Sequence, residues 1–193
     1  ATIQLGSGGM PNAVGDLIAH SNVRDLGMHT EMLVDAYLTM HEKGKLTNKY
    51  KSWDKGKGAW TFCMGSQKLY DWVDRNPSLA SYPSNYTNDP KVIAQIDNFI
   101  SVNNCVEVDL YGQVSSESAG IRQISGTGGQ LDFVTGAYLS NGGKSFICFR
   151  SAFEDRKTGQ AASRVVPALP PSSIVTVPRT QVHYLVTEWG KAN

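Results

Sequence analysis

The chain has 193 residues, a formal net charge of +1 and 18% charged residues. This length suits one sizeable domain, and the balanced charge lacks the global field that attracts nucleic acid. Three cysteines, Cys63, Cys105 and Cys148, are widely spaced and odd in number, which argues against a disulfide scaffold and predicts reduced thiols inside the cell. No apolar run has the length of a membrane span, so we do not expect a membrane as a partner. Because the net charge is near zero, we do not expect a nucleic acid as a partner either.

The first elements in chain order are a strand, a glycine loop and a helix. Residues 1–5 suit a strand, and the loop Gly6-Ser7-Gly8-Gly9 follows. The helix is predicted to begin at Pro11 or the next residue, because proline is favoured in a first helical turn, and to end near His20. A short strand is predicted within residues 23–30.

A second helix is predicted to start at Thr30. Thr30 suits an N-cap and Gly44 suits a helix end. Glu31 would then lie in the first helical turn, where the helix dipole favours a negative charge. The apolar residues that follow this helical spacing are Met32, Leu33, Ala36, Tyr37 and Met40.

The later elements alternate between strands and helices without a short repeat, which predicts a layered α/β fold. Residues 154–160 suit a charged surface loop, and residues 165–171 contain too many prolines for a central strand. Because the chain opens inside one predicted strand and stops just after another, we expect a fragment of a longer protein. The predicted elements are strand 59–64, a helix from 65 to about 76, a turn-rich loop 82–90, a short helix 92–96, strands 99–103 and 105–110, a helix that follows the glycine-rich stretch 125–133 and runs to about 139, and strands 144–149 and 182–188.

The glycine loop at Gly6-Ser7-Gly8-Gly9 leaves two interpretations open. A dinucleotide fingerprint, G-x-G-x-x-G, would need glycine where Pro11 stands, so it is weakly supported. The loop is either a tight strand-to-helix turn or a set of amides that faces an anion or oxyanion. A second glycine cluster, Gly126-Thr127-Gly128-Gly129, also precedes a predicted helix. Lys157 is either a solvated loop charge or a contact for a phosphate.

Glu31 is either an ordinary helix glutamate or a nucleophile or base beside the glycine loop. His29 and Glu31 match the H-x-E of zinc deaminases, but the P-C-x-x-C of that signature is absent. The serine hydrolase motif G-x-S-x-G is absent as well. His29 is either structural or a neighbour that tunes Glu31. No metal site is predicted, because no shared ligand spacing joins His20, His29, His41 and His183.

Six segments taken together resemble the acetyl-CoA hydrolase/transferase family, and the likeness runs from Gly6 to Gly190. No single segment is specific, but the combination is. Within the family, the chain resembles most the 4-hydroxybutyrate and butyryl-CoA:acetate CoA-transferases. The segments are GSGGMPNAV from Gly6, LGMHTEM from Leu26, MGSQKLYDWV from Met64, NDPKVIAQIDN from Asn88, VDLYGQV from Val108 and SGTGGQLDFVTGA from Ser125.

The resemblance implies an α/β fold of the NagB/RpiA/CoA-transferase type, a layered αβα domain with a mostly parallel or mixed sheet. Family chains are about twice this size and pair two related domains around the acyl-CoA. Residues 1–193 would be the C-terminal catalytic domain, without the N-terminal domain. The resemblance also implies CoA as a substrate, no permanently bound cofactor, a short-chain carboxylate as second substrate, a homodimer at full length, and a cytoplasmic location, or the mitochondrial matrix in a eukaryote.

The resemblance implies roles for individual residues as well. Glu31 corresponds to the family's catalytic glutamate, and Asn88 to an asparagine that restrains it. The amides of Ser7 and Gly129 correspond to the two donors of the oxyanion hole. Residues that correspond to CoA contacts are Gly6, Ser7, Gly8, Gly9, Met10, Val106, Gly129 and Lys157.

The implied activity is a ping-pong transfer of CoA through a glutamyl-CoA thioester at Glu31. The donor would be 4-hydroxybutyryl-, butyryl- or acetyl-CoA, and the acceptor a carboxylate such as acetate. A glutamate is ordinarily ionised at neutral pH, so it needs no general base to attack. Two alternatives stay open: an acyl-CoA hydrolase such as an acetyl-CoA hydrolase, and a CoA-binding fragment that is inactive without its N-terminal half.

Overall fold

The structure is a computed structural model that describes residues 1–154 and 159–193. Its helices are α1 (Gly9–Ala19), α2 (Asp35–Glu42), α3 (Gln67–Val73), α4 (Ser84–Thr87), α5 (Pro90–Ile93) and α6 (Gln130–Leu139). Its strands are β1 (Thr2–Leu5), β2 (Gly27–Met28), β3 (Met32–Leu33), β4 (Gly58–Trp60), β5 (Phe62–Cys63), β6 (Leu79–Ser81), β7 (Phe99–Asn103), β8 (Glu107–Asp109), β9 (Val114–Ser115), β10 (Ser118–Ala119), β11 (Arg122–Gln123), β12 (Lys144–Cys148), β13 (Ala152–Glu154), β14 (Ala161–Ser163), β15 (Val165–Val166), β16 (Tyr184–Thr187) and β17 (Gly190–Ala192).

The main sheet has the strand order β17-β16-β12-β7-β1-β2. Its neighbours pair in parallel, except that β17 runs antiparallel to β16. Parallel strands need crossover connections, and helices α1 and α6 supply two of them. The predicted α/β fold with a mostly parallel, mixed sheet is therefore confirmed.

Helices cover both faces of this sheet. Ile3, Leu5 and Val102 are buried in one cluster with residues of α1 and α2. On the opposite face Phe99 is buried together with Phe133 of α6. Because residues alternate between the two faces of a strand, β7 contributes Val102 to one layer and Phe99 to the other. Each large apolar side chain buried in this way contributes about 1.5–3 kcal/mol to folding.

Most predicted elements are confirmed with small shifts of their bounds. Helix α1 begins at Gly9, two residues before Pro11, and α6 ends at Leu139 as expected. The strand predicted over residues 59–64 is split into β4 and β5, and the turn-rich loop contains the short helix α4. The proline-rich segment contributes only β15, an edge strand of the small sheet β15-β8-β9.

The helix predicted from Thr30 is wrong at its start. Met32–Leu33 forms strand β3, which pairs with β5, and the helix begins only at Asp35. The Thr30 hydroxyl donates to the carbonyl oxygen of Met32 at 3.1 Å instead of capping a helix. Two adjacent buried apolar residues satisfy a helical pattern as well as a short buried strand, so periodicity alone could not separate the two. Glu31 therefore lies in a loop.

Among the residues that the structure describes, no helix is both long and apolar enough to cross a membrane.

Candidate active site

The functional residues gather at the carboxyl edge of the main sheet. Gly6 and Ser7 follow β1, Glu31 comes shortly after β2, and Val106 follows β7. Loops at this edge of a parallel sheet meet at one place, which is where ligands commonly bind in α/β folds. These four residues and Gly129 line a cleft of about 580 Å³, a size suited to a small-molecule ligand.

The backbone around Glu31 is fixed by the neighbouring strands. The carbonyl oxygen of Glu31 accepts hydrogen bonds from the backbone N–H of Thr61 at 3.0 Å and of Phe62 at 3.1 Å. Three residues before Glu31, Met28 of β2 pairs with Ile3 of β1. The glutamate is thus carried on a short loop whose two ends are tied to different strands. Such support holds a side chain more closely than a free loop does.

The side chain of Glu31 points to the second glycine cluster. The backbone N–H of Gly129 donates to Glu31 Oε2 at 3.2 Å. Gly129 is the N-cap residue of α6 and is buried, whereas Glu31 is half-buried. The carboxylate therefore lies at the boundary between the cleft and the protein interior, next to a backbone donor.

Asn88 lies behind the same glycine. A Cβ atom built on Gly129 would be 2.5 Å from Asn88 Nδ2 and 2.8 Å from Glu31 Oε2. Both side chains thus occupy the space that a side chain at residue 129 would need. Within the described ranges, Glu31 Oε2 has its hydrogen bond from Gly129 and none from Asn88. The structure therefore brings Asn88 to the site, outside the lining of the cleft.

The pKa of a carboxyl group near Glu31, that of Asp132, is shifted by its surroundings. Asp132, in the first turn of α6, is half-buried. Burial raises the pKa of Asp132 above its usual range, and the negative charges of Glu31 and Asp89 raise it further. Three carboxyl groups are therefore close enough to interact electrostatically around Gly129.

His29 is a buried neighbour of the site. Its Nε2 lies 2.8 Å from the carbonyl oxygen of Thr87, and because a carbonyl only accepts, Nε2 carries the proton. Burial, and secondly the charge of Lys51, lower the pKa of His29 to about 4. The ring packs near those of Phe99 and Phe133. His29 is thus a neutral, structural group, in agreement with one of its two sequence interpretations.

The first glycine loop lies partly inside and partly outside the main cleft. The Gly6 N–H donates to the carbonyl oxygen of Val102 at 2.8 Å, and Ser7 lines the main cleft. Gly8, with a φ of 110°, and Gly9 are exposed at the start of α1 and lie outside that lining. Met10 lines a second cavity of about 280 Å³ beside the first. Val106 lines both cavities.

The second cavity carries positive charge. Arg150 and Arg164 line it together with Met10 and Val106. The Arg164 side chain donates to the carbonyl oxygen of Val106 at 2.8 Å and lies over the ring of Phe153. Lys157, the basic residue singled out in the sequence, lies outside the described residues.

The sequence reasoning missed a buried polar network under the cleft. Ser101 Oγ donates to Gln4 Oε1 at 2.7 Å, and Gln4 Nε2 donates to Asn103 Oδ1 at 3.2 Å. All three residues are buried. The signal was present as polar residues that alternate with apolar ones along β1 and β7, because alternate residues share one face of a strand. This network forms part of the floor below Gly6.

A buried carboxylate, Glu117, was also missed. It lines the cleft, and its Oε2 accepts a hydrogen bond from Thr127 Oγ1 at 3.1 Å. Its carbonyl oxygen accepts from the backbone N–H of Ile124 at 2.8 Å. Glu117 thereby anchors the exposed loop that leads to Gly129.

Across residues 1–154 and 159–193, no group of three or more His, Cys, Asp and Glu side chains could hold a metal ion.

Comparisons with known proteins identify the family of the chain. The chain is 60% identical to a probable butyrate:acetyl-CoA coenzyme A-transferase of Syntrophomonas wolfei over 98% of this chain and 42% of that protein. It is 58% identical to a butyryl-CoA:acetate CoA-transferase of Anaerostipes caccae over 100% of this chain and 43% of that protein. The crystal structure of RipA from Yersinia pestis matches with a TM-score of 0.90 and 41% identity, over 100% of this chain and 42% of that one.

The chain thus spans about two fifths of the length of the curated relatives it matches. A family model described as the acetyl-CoA hydrolase/transferase C-terminal domain matches residues 65–193. The sequence resemblance is confirmed, and the chain belongs to the acetyl-CoA hydrolase/transferase family.

Proposed function

We propose that residues 1–193 are the catalytic C-terminal domain of a CoA-transferase. The enzyme moves CoA between an acyl-CoA, namely 4-hydroxybutyryl-, butyryl- or acetyl-CoA, and a carboxylate such as acetate. The observation that carries the proposal is the hydrogen bond from the Gly129 N–H to Glu31 Oε2 inside the cleft. A carboxylate and a backbone donor at one point of a cleft are the two groups that acyl transfer requires.

The first half-reaction begins at the Glu31 carboxylate. One of its oxygens attacks the thioester carbonyl carbon, the C–S bond breaks, and CoA leaves as a thiolate. The product is a mixed anhydride between the acyl group and Glu31. The thiolate then attacks the Glu31 carbonyl carbon of the anhydride, the bond to the bridging oxygen breaks, and the donor leaves as a free carboxylate. Glu31 is left as a glutamyl-CoA thioester.

The second half-reaction is the reverse with a different carboxylate. The acceptor carboxylate attacks the glutamyl thioester, and the released thiolate attacks the acyl carbon of the new anhydride. A new acyl-CoA forms and the Glu31 carboxylate returns. No proton or electron is gained or lost in the cycle, so no general base or redox cofactor is needed. Covalent catalysis divides one difficult exchange into smaller steps.

Backbone amides of the two glycine loops stabilise the negative oxygen that develops at each attack. We assign this role to the N–H groups of Ser7 and Gly129. Gly129 already donates to the carboxylate in the structure, so it lies within hydrogen-bond reach of the attacking group. Removing one such donor in other enzymes costs about 2.7–4 kcal/mol of transition-state stabilisation. To Asn88, which lies next to Gly129, we assign the role of restraining the Glu31 side chain.

Both cavities would receive CoA. The thioester end would lie in the main cleft near Glu31, and the remainder would pass Val106 toward Met10. The N–H groups of Gly8, Gly9 and Met10 have no acceptor within the first turn of α1 and are available to an anionic group. Contacts with these remote parts of CoA would help to drive the reaction at the thioester.

The experiment that tests the proposal is to trap the covalent intermediate in the full-length protein. Incubation with butyryl-CoA followed by borohydride reduction should modify the peptide that contains Glu31, as seen by mass spectrometry. Glu31→Asp should lower its formation about 10²-fold, because the carboxylate retreats by one methylene. Glu117 and Asp132 are internal controls. Modification at either of them, or turnover without any adduct, would contradict the proposal. Loss of the thioester without acetate would indicate a hydrolase.

A further inference from the structure

Two threonines, Thr61 and Thr87, connect the backbone of Glu31 with the side chain of Asn88. The Thr61 N–H donates to the carbonyl oxygen of Glu31 at 3.0 Å. The hydroxyls of Thr61 and Thr87 are hydrogen-bonded to each other. Thr87 Oγ1 in turn donates to Asn88 Oδ1 at 3.0 Å. Thr87 is fully buried and Thr61 is half-buried, so water has little access to this path.

The acceptor at Asn88 Oδ1 determines which hydroxyl donates in each of these hydrogen bonds. An amide oxygen only accepts, so Thr87 uses its one hydroxyl proton on Asn88 Oδ1. The Thr61 hydroxyl must then be the donor in the bond between the two threonines. The NH₂ half of the Asn88 amide faces away from Thr87. It lies beside Gly129, close to Glu31 Oε2.

The opposite orientation of the amide would be unfavourable. It would bring Asn88 Oδ1 close to the Glu31 carboxylate, and two acceptors without a proton between them repel each other. The Glu31 carboxylate therefore selects the orientation in which the donor end of Asn88 faces it, and the Thr87 hydroxyl holds the amide there by donating to Asn88 Oδ1. An oriented donor costs no reorganisation at the moment of reaction.

The backbone N–H and carbonyl oxygen of Thr87 are hydrogen-bonded as well as its side chain. His29 Nε2 donates to the carbonyl oxygen of Thr87 at 2.8 Å, and the Thr87 N–H donates to the carbonyl oxygen of Pro83 at 3.2 Å. His29 lies two residues before Glu31 and is fully buried. The loop that carries Glu31 and the short helix α4 that ends at Thr87 are thus joined directly through His29 and indirectly through Thr61.

We propose that Thr61 and Thr87 are positioning residues for the reaction at Glu31, because they fix the Asn88 side-chain amide with its NH₂ group toward the nucleophile. The proposal rests on the proposed role of Glu31. Neither threonine touches the substrate, and each acts through Asn88. The expected effect is on the rate of covalent chemistry and not on the binding of acyl-CoA.

The test compares Thr87→Val with Thr87→Ser in the full-length protein. Valine keeps the branched shape and removes the hydroxyl, whereas serine keeps the hydroxyl. Single-turnover formation of glutamyl-CoA from butyryl-CoA should be about tenfold slower with valine, which corresponds to about 1.4 kcal/mol. The serine variant should be within about twofold of the wild type, and KM for butyryl-CoA should be unchanged in both. Thr61→Val, which removes the half-buried hydroxyl of the pair, should also slow the formation of glutamyl-CoA.

A double-mutant cycle separates positioning from a general loss of packing. In an Asn88→Ala background, Thr87→Val should have no further effect on the rate, because the group it orients is gone. A further tenfold loss in that background would overturn the proposal. Thr39→Val is a matched control, since its half-buried hydroxyl donates to the carbonyl oxygen of Asp35 in α2, away from the cleft.

The outcomes for the two proposals can be told apart. If wild-type protein forms no adduct at Glu31, the proposed function fails and the role of the threonines fails with it. If the adduct forms at Glu31 and Thr87→Val and Thr61→Val form it as fast as wild type, only the positioning role is overturned. Thermal unfolding of each variant identifies a slow variant that is merely unfolded, and an equal loss of rate in Thr39→Val would also count against the positioning role.

Discussion

The backbone N–H of Gly129 donates to the Glu31 carboxylate across 98 residues of sequence, at 3.2 Å. The loop after β2 and the N-cap residue of α6 therefore share one hydrogen bond at the carboxyl edge of the sheet. In the proposed reaction the same N–H changes partner. It holds the carboxylate before attack and becomes free for the acyl oxygen once a Glu31 oxygen has bonded to the acyl carbon.

Gly129→Ala should damage both folding and chemistry. The new Cβ would lie 2.5 Å from Asn88 Nδ2 and 2.8 Å from Glu31 Oε2, so both side chains would have to move. Overpacking of this kind costs about 1–3 kcal/mol. We expect a lower midpoint of urea unfolding and a slower formation of the glutamyl-CoA adduct.

Gly128→Ala is the matched control for stability. A Cβ built on this adjacent glycine meets nothing within 4 Å, and its φ is not in the left-handed region. Its urea midpoint should stay close to that of the wild type. Equal destabilisation by both alanines would show that the loop, and not the contact with Asn88 and Glu31, determines the effect.

Gly6→Ala should be destabilising because of the polar network under the cleft. A Cβ there would lie 2.5 Å from Asn103 Oδ1. Asn103 has little freedom to retreat, since it is hydrogen-bonded to Gln4 and to Ser101, at 2.8 Å for Ser101 Oγ. We expect a loss of about 1–3 kcal/mol in the free energy of unfolding, measured with urea.

Asn103→Ala tests this explanation of the Gly6 effect. It removes the atom that the new Cβ would meet, so Gly6→Ala should cost clearly less in the Asn103→Ala background than in the wild type. Strictly additive losses in the double variant would rule out the contact with Asn103 as the cause.

The sequence predicts the α/β fold and the helix α6, because both depend on local patterns of apolar residues and glycines. The convergence of Gly6, Ser7 and Glu31 is predicted through the family resemblance. It does not predict that Glu31 lies in a loop, since Met32 and Leu33 satisfy both a helical and a short-strand pattern. Long-range contacts leave no local signal. The hydrogen bond by which Glu117 anchors the loop that leads to Gly129 depends on tertiary packing alone.

The pKa of Asp132 should report the charge of Glu31. Burial raises this pKa first, and the Glu31 charge raises it second. Glu31→Gln should therefore lower the pKa of Asp132 but leave it above its usual range, because the burial persists. The measurement is a carboxyl ¹³C NMR titration of both proteins.

Asp89→Asn is the control for this titration. Asp89 also raises the pKa of Asp132, by less than Glu31 does. Asparagine can still accept the hydrogen bond from the Lys91 N–H that caps α5. The change at Asp132 should be smaller than in Glu31→Gln. An unchanged Asp132 titration in Glu31→Gln would mean that the two carboxyl groups do not interact.

His29 should make the stability of the fold depend on pH. Burial and the charge of Lys51 lower its pKa from 6.5 in an unfolded chain to about 4. Between these values the unfolded chain binds a proton at His29 and the folded chain does not. The contribution of His29 to the free energy of unfolding is therefore fully present above about pH 6.5, and it is lost as the pH falls toward 4. One pKa unit corresponds to about 1.4 kcal/mol, so the full effect is about 3 kcal/mol.

His29→Gln should flatten this pH dependence. Glutamine carries a neutral N–H donor that can reach the carbonyl oxygen of Thr87, so the buried hydrogen bond is kept while the titration is removed. Urea unfolding at pH 7 and pH 5 should show a smaller difference than in the wild type. His20→Gln, at a histidine whose side chain is 53% exposed, should keep the wild-type difference. If His29→Gln loses as much stability between pH 7 and pH 5 as the wild type does, another group causes the acid sensitivity.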